Sequence, residues 1–227
     1  MAKPGAALFD LDDTLTDRAA MFEAFKKDYI RDNFPSLTGG RFTEACDLLH
    51  RLDSDGGYSR FETFDLFAQG MGVTGKSHEE LLRYWNSHFP MYMHVLDGTR
   101  ELLAGLRARG VKLALVTNGD SDLQNGKIDI AGLRASFDVI IVSGDEPFDK
   151  PDRRIFDLAL SRLGADAADA VFTGDNLRTD IIGAQRAGIP DVWMNRFGMK
   201  KAYGITPSRE VHSVRELIKL LGSWGEQ

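Results

Sequence analysis

Residues 6–15 read AALFDLDDTL, four consecutive apolar residues that stop at Asp10 and run on into Asp12 and Asp13. An apolar run without alternation suits a strand covered on both faces, as in a parallel sheet sandwiched by helices. Carboxylates at the carboxyl end of such a strand stand at the edge where open α/β sheets bind their ligands. Four more runs of this kind follow, at residues 111–116, 139–142, 170–172 and 191–194. Between the later runs apolar residues recur at helical spacing: Leu102, Leu103 and Leu106; Ile155, Phe156, Ala159, Leu160 and Leu163; Ile181, Ile182 and Ala184. Strand and helix in alternation predict an α/β fold, a doubly wound, mainly parallel five-stranded sheet.

Residues 17–95 break that alternation. No strand-like run occurs there, and the apolar residues keep helical spacing: Met21, Phe22, Phe25 and Tyr29, then Phe61, Phe64, Phe67 and Ala68. The stretch holds 8 of the 14 phenylalanines and 4 of the 5 histidines, so its composition sets it apart from the rest. The simplest account of the aromatic stripe is a core of its own rather than a ligand box. The glycine pairs Gly39-Gly40 and Gly56-Gly57 divide the stretch into helices. Residues 1–16 and 96–227 are then expected to form an α/β core of ordinary domain size, and residues 17–95 an inserted all-helical module.

Composition narrows the function classes. The chain has 28 basic and 34 acidic residues, a net charge of -6, and no basic run of the kind that neutralises phosphates along a nucleic acid, so nucleic acid is an unexpected partner. Cys46 is the only cysteine, which excludes an internal disulfide and a cysteine-cluster zinc site. The opening residues, MAKPGAALFDLDD, reach carboxylates too soon for a signal-peptide core or a membrane span. A cytoplasmic protein with no membrane partner is expected, as a monomer or homodimer.

Residues 70–77, GMGVTGKS, match the phosphate-cradling pattern G-x-x-x-x-G-K-[ST] letter for letter. That loop needs a buried strand before it, whereas the preceding RFETFDLFAQ carries charges among apolar residues at helical spacing. The expectation is plainer: Gly70 or Gly72 ends one helix, and Ser77 with Glu80 forms a capping box that opens the next.

The stronger signal lies at the strand ends. Asp10, Asp12 and Asp13 follow the first run, and Thr117-Asn118-Gly119 follows the second. Asp149-Lys150-Pro151-Asp152 lies beyond the third, with Pro151 suited to a first helical turn. The fourth leads into Gly174-Asp175-Asn176-Leu177-Arg178-Thr179-Asp180. Any one of these acids is ordinarily a helix cap and a lone Lys-Pro a solvated loop. Their joint occurrence, each after a strand, places carboxylates, a hydroxyl and a lysine along one sheet edge.

With these residues in view the chain resembles the haloacid dehalogenase (HAD) superfamily. Asp10-Leu-Asp-Asp-Thr-Leu matches its first motif, Thr117-Asn-Gly its second, Lys150-Pro its third, and Gly174-Asp175 through Asp180 its fourth. The resemblance spans nearly the whole chain and implies a Rossmann-like, HAD-like core with a helical cap inserted between the first two motifs. Pro147-Phe148 departs from the glycine that relatives often carry before the lysine. The stretches TNGD at 117–120 and VWMNR at 192–196 are similar to the branch that contains acylneuraminate-9-phosphate phosphatases and pyrimidine 5′-nucleotidases.

The resemblance implies a hydrolase acting on a small phosphate ester, a sugar phosphate or nucleotide. Asp10 is expected as nucleophile, and Asp12 as the acid that protonates the leaving oxygen and then as base on water. Thr117, Asn118 and Lys150 would bind the phosphoryl group, and Asp180 would orient Lys150 or a bound water. Mg²⁺ is the expected cofactor, on Asp10, Asp175 and the backbone carbonyl of Asp12. Arg18, Tyr58 and Arg60 are candidates for touching the rest of the substrate. A phosphomutase built on the same aspartyl-phosphate is the alternative. A metal-independent dehalogenase is disfavoured because a halide leaves without a proton, so Asp12 would have no task; a P-loop nucleotide binder or a non-catalytic binding protein is weaker still.

Overall fold

The computed structural model describes residues 4–54, 58–74 and 76–222. Two compact units divide the chain, Met1–Arg18 with His94–Gln227, and Ala19–Met93.

The first unit carries β1 (Ala6–Phe9), and the chain next forms α1 (Arg18–Asn33), α2 (Gly40–Ser54), α3 (Arg60–Met71) and α4 (His78–His88). It returns to the first unit with α5 (Thr99–Ala108), β2 (Lys112–Thr117), α6 (Ser121–Ile130), β3 (Val139–Val142), α7 (Arg153–Leu163) and β4 (Ala170–Gly174). α8 (Ile182–Ala187), β5 (Asp191–Met194), β6 (Arg209–Val211) and α9 (Val214–Gly222) complete it.

The sheet is parallel throughout and runs β3-β2-β1-β4-β5-β6. It has six strands where five were expected. β6 is three residues long at the sheet edge, with Arg209 exposed and only Val211 buried, so it lacks the continuous apolar run that marks the others. Charged residues are normal on an edge strand, where a bare apolar ladder would invite pairing with other chains. β1 pairs with β2 on one side and β4 on the other, so the strand order reverses at β1 and opens a crevice at its carboxyl end.

The pleat explains the unbroken apolar runs. Ala6, Leu8, Ala114 and Val116 face a layer containing Ile155, Phe156, Ala159 and Leu160 of α7 and Ala184 of α8. The alternate residues Ala7, Phe9, Leu113 and Leu115 point the other way and are equally inaccessible to solvent. The unit therefore needs apolar side chains at every central position of β1 and β2.

The second unit is helical, and the aromatic stripe is its core. Phe25 lies 4.7 Å, centroid to centroid, from Trp85 and 5.1 Å from Phe89, both edge-on. Phe22, Tyr29, Phe64 and Phe67 are buried with them. Phe61, expected in the stripe, is 44% exposed on the first turn of α3 and stacks on the His78 ring instead. Gly39 adopts φ +56° immediately before α2, whereas Gly56 and Gly57 lie outside the described residues. The phosphate-loop look-alike has the plain structure: α3 precedes it, Gly72 is a left-handed cap, and Ser77 and Glu80 exchange both capping-box hydrogen bonds. Lys76 donates to Asn33 Oδ1 at 2.9 Å. Gly75 lies outside the described residues.

Candidate active site

Asp10 sits one residue past β1, its amide donating to Thr173 O at 2.9 Å, which holds the turn level with β4. The chain then bends sharply. The amides of Leu15 and Thr16 both donate to Leu11 O, and Asp13 takes a left-handed φ of +54°. Arg196, just beyond β5, bridges Asp13 at 3.2 Å and Asp17 at 2.8 Å, clamping both sides of this bend. Such a bend is what lets carboxylates at i and i+2 serve one small site.

Lys150 is the hub. Its Nζ donates to Asp10 Oδ1 at 2.6 Å and lies 2.8 Å from Asp180 Oδ1. Asn118 holds the lysine from behind, its Nδ2 donating to Lys150 O at 2.8 Å and its Oδ1 accepting from Lys150 N at 2.9 Å. The Asn118 side chain thus places the lysine. Helix α7 begins two residues later than Pro151 suggested: Asp152 is the cap, accepting from Arg154 N, and Pro151 precedes it. Asp120 likewise caps α6, so these two acids have the bland role open to any acid in such a loop.

The fourth segment supplies two acids through one wide turn. Residues Leu177–Ile181 form a π-helical turn before α8, a rare shape concentrated at functional sites. It turns Asp180 back so that Oδ2 accepts from Asn176 N at 3.0 Å. Trp193 Nε1 donates to Asp175 O at 2.6 Å, fixing the backbone of the other acid.

Carboxylate oxygens of Asp10, Asp175 and Asp180 lie within 4.8 Å of one another. Burial, followed by the charges of its acidic neighbours, pushes Asp175 well above the usual carboxylate range. Burial likewise raises Asp10, and Lys150 offsets this only in part. For Lys150 burial works against the charge, but Asp10 and Asp180 outweigh it and hold the ammonium protonated. One cation thus faces three acids, Asp10 and Asp180 buried and Asp175 partly buried, an excess of negative charge with hard oxygen donors. That donor set fits a divalent ion such as Mg²⁺. Asp180 is the third carboxylate of the cluster, whereas the Asp12 carboxyl turns to a different partner.

That partner was not foreseen. Lys127 of α6 donates to Asp12 Oδ2 at 2.5 Å, with Gln124 Nε2 3.3 Å from the same oxygen. Gln124 Nε2 also donates to Thr117 Oγ1 at 2.5 Å. Burial pushes Asp12 up, but Lys127, Arg18 and these hydrogen bonds together hold it below its ordinary value. Burial lowers Lys127 despite the Asp12 charge beside it. Arg18 thus has an electrostatic role near Asp12. Arg60 is tied within the helical unit, to Asp53 at 2.9 Å and over the Trp85 ring at 3.8 Å, and Tyr58 is exposed.

Comparison with known proteins agrees with this geometry. The chain belongs to the haloacid dehalogenase-like hydrolases, whose family pattern matches residues 4–188. It is 36% identical over 130 residues to the phosphoserine phosphatase of Thermus thermophilus, covering 57% of this chain and 51% of that protein, so the match spans about half the relative's length. It is 30% identical over 238 residues to the human N-acylneuraminate-9-phosphatase, covering 98% and 96% of the two chains. Among solved structures, the HAD-hydrolase YfnB of Bacillus subtilis, bound to magnesium, superposes with a TM-score of 0.81 at 27% identity, over 95% of this chain and 97% of that one. Among the described residues no helix is long and apolar enough to cross a membrane.

Proposed function

We propose that the chain hydrolyses a small phosphate monoester through an aspartyl-phosphate on Asp10. The carrying observation is the buried Lys150 ammonium held between Asp10 and Asp180 at the carboxyl end of β1, with a second acid, Asp12, two residues on. Relatives named as phosphatases, one of them matching along nearly its whole length, support the reading.

In this reading an Asp10 oxygen attacks phosphorus as the bond to the ester oxygen breaks. Asp12 gives a proton to the departing oxygen, then takes one from the water that attacks the aspartyl-phosphate and returns Asp10. Asp12 rests ionised, but an incoming phosphoryl dianion sets negative charge beside it and favours the protonated form that the first step needs. The Lys150 ammonium and Thr117 hydroxyl meet the phosphoryl oxygens in a site preorganised by Asn118 and Asp180. Mg²⁺ held by Asp10, Asp175 and the Asp12 carbonyl would supply the positive charge that lets an anionic ester approach these acids. The helical unit is the natural place for substrate choice, and the sialic-acid phosphatase likeness points to a phosphorylated sugar, with nucleotides next.

A panel of sugar phosphates, nucleotides and phosphoserine, assayed for released inorganic phosphate with Mg²⁺ and with chelator, tests this. Mg²⁺-dependent release from at least one ester is expected. Full activity in chelator, or isomerised sugar phosphate without inorganic phosphate, would overturn it; the latter outcome would assign a mutase.

A further inference from the structure

We propose that Lys127, acting with Gln124, is a positioning residue that fixes which oxygen of Asp12 carries the catalytic proton. The inference rests on the phosphatase reading above and deepens it.

Lys127 is an odd residue to bury. Its side chain is 2% exposed, on a helix whose other inward residues are Gln124 and Ile128. Desolvating an ammonium is costly, and an aliphatic side chain would fill the same space without that cost. What the charge does is visible in how it divides the Asp12 carboxyl. Both donors, Lys127 Nζ and Gln124 Nε2, reach Oδ2. Oδ1 is buried and has no hydrogen-bond partner among the described residues. A proton on Oδ2 would point at two N–H donors, so the neutral acid carries its proton on Oδ1.

The same network sets Thr117. Gln124 Oε1 accepts from Lys127 Nζ at 2.6 Å, which fixes the amide so that Nε2 faces both Asp12 and Thr117. Thr117 Oγ1 accepts from Nε2, leaving its own O–H to donate toward a phosphoryl oxygen. Gly119 makes room for this: it adopts φ +145°, and a Cβ there would lie 2.9 Å from Gln124 Cγ. Lys127 and Gln124 thus tie the acid and the phosphoryl-binding hydroxyl into one unit. As the bond from phosphorus to the ester oxygen breaks, its electron pair goes to that oxygen, and the proton on Asp12 Oδ1 follows. In the second step Oδ1 accepts a proton from the attacking water, and the electron pair of the Asp10–phosphorus bond returns to Asp10.

The test compares two esters of similar shape with the full chain and Mg²⁺. Phenyl phosphate leaves as a phenol that, like tyrosine, ionises near about 10 and needs a proton as it departs. In 2,4-dinitrophenyl phosphate the leaving group is a far stronger acid and departs as the anion. Comparing kcat/KM confines the readout to steps through phosphoryl transfer. Lys127→Met is expected to lower kcat/KM by about 10²-fold or more on phenyl phosphate, the scale of a misplaced general acid, and by less than about fivefold on the dinitrophenyl ester. Lys127→Gln, which keeps a donor toward Oδ2, should regain part of the phenyl phosphate activity, and it decides the matter should Lys127→Met fail to fold. Equal losses on both esters, or no loss on either, would overturn the inference while leaving the phosphatase reading intact. Wild-type turnover of neither ester, together with no phosphate release from the panel above, would overturn both.

Discussion

Replacing Gly174 by alanine should damage both stability and turnover, and the geometry sets the size. A Cβ built on Gly174 would lie 2.4 Å from Asp180 Cγ and Oδ2 and 2.5 Å from its Cβ. Carbon atoms in contact prefer about 3.5–4.0 Å, so the two residues must part by roughly 1 Å. Neither moves freely. Gly174 is paired with Trp193 inside the sheet, and Asp180 is held by Asn176 N at 3.0 Å and Lys150 Nζ at 2.8 Å. Overpacking alone costs about 1–3 kcal/mol, and loosening the buried Lys150–Asp180 pair adds to it, for a total of roughly 2–4 kcal/mol. In a chain of this size each kcal/mol moves the melting temperature by about 2–4 °C, so a fall of roughly 4–16 °C is expected. Turnover should drop at least about tenfold, because Lys150 loses an anchor. Gly105→Ala is the control. That glycine lies in α5, and an alanine Cβ there would meet nothing within 4 Å, so the substitution should stabilise by about 0.5–1 kcal/mol. Thermal unfolding by circular dichroism with a phosphate-release assay reads both. A Gly174→Ala protein that melts within about 1 °C of wild type at full activity would refute the close approach of Asp180 to β4.

Three further outcomes follow from the same contacts. Lys150→Met leaves the buried Asp10 and Asp180 without their cation and should cost about 3–5 kcal/mol, seen as a lowered urea midpoint. Added Mg²⁺ should raise the midpoint of this variant more than that of wild type, since an ion that binds the folded acid cluster stabilises by mass action; no shift in either protein would argue against metal at these acids. Lys76→Ala should leave turnover and nucleotide affinity unchanged, because Lys76 meets Asn33 in a helix-capping turn rather than a phosphate cradle. A large drop in ATP affinity, measured by calorimetry, would restore the phosphate-loop reading.

The β1 run was legible because a strand buried on both faces must be apolar at every position, and its abrupt end at Asp10 marked the ligand edge. The four strand-end segments were legible for the same reason. β6 was not: three residues on an edge, one of them buried, leave no pattern. The start of α7 was misplaced because Pro151 fits a first helical turn, but Asp152 caps the helix one residue later. Lys127 and Gln124 escaped notice because α6 reads as a polar surface helix, and a buried lysine is too rare to expect without seeing Asp12 beside it. The π-helical turn before α8 is likewise silent in LRTDI, whose helical spacing hides the extra residue per turn.

The central claim is that Asp10 carries the phosphoryl group. Its most direct test is a rapid acid quench of the enzyme turning over a ³²P-labelled ester with Mg²⁺, followed by peptide mapping of the labelled protein. Acid-stable, base-labile label on the peptide containing Asp10 in the wild type, with none in Asp10→Asn and turnover there reduced by about 10³-fold or more, is the predicted result. An Asp10→Asn protein that folds and still releases phosphate at a substantial rate, or label on another residue, would contradict it.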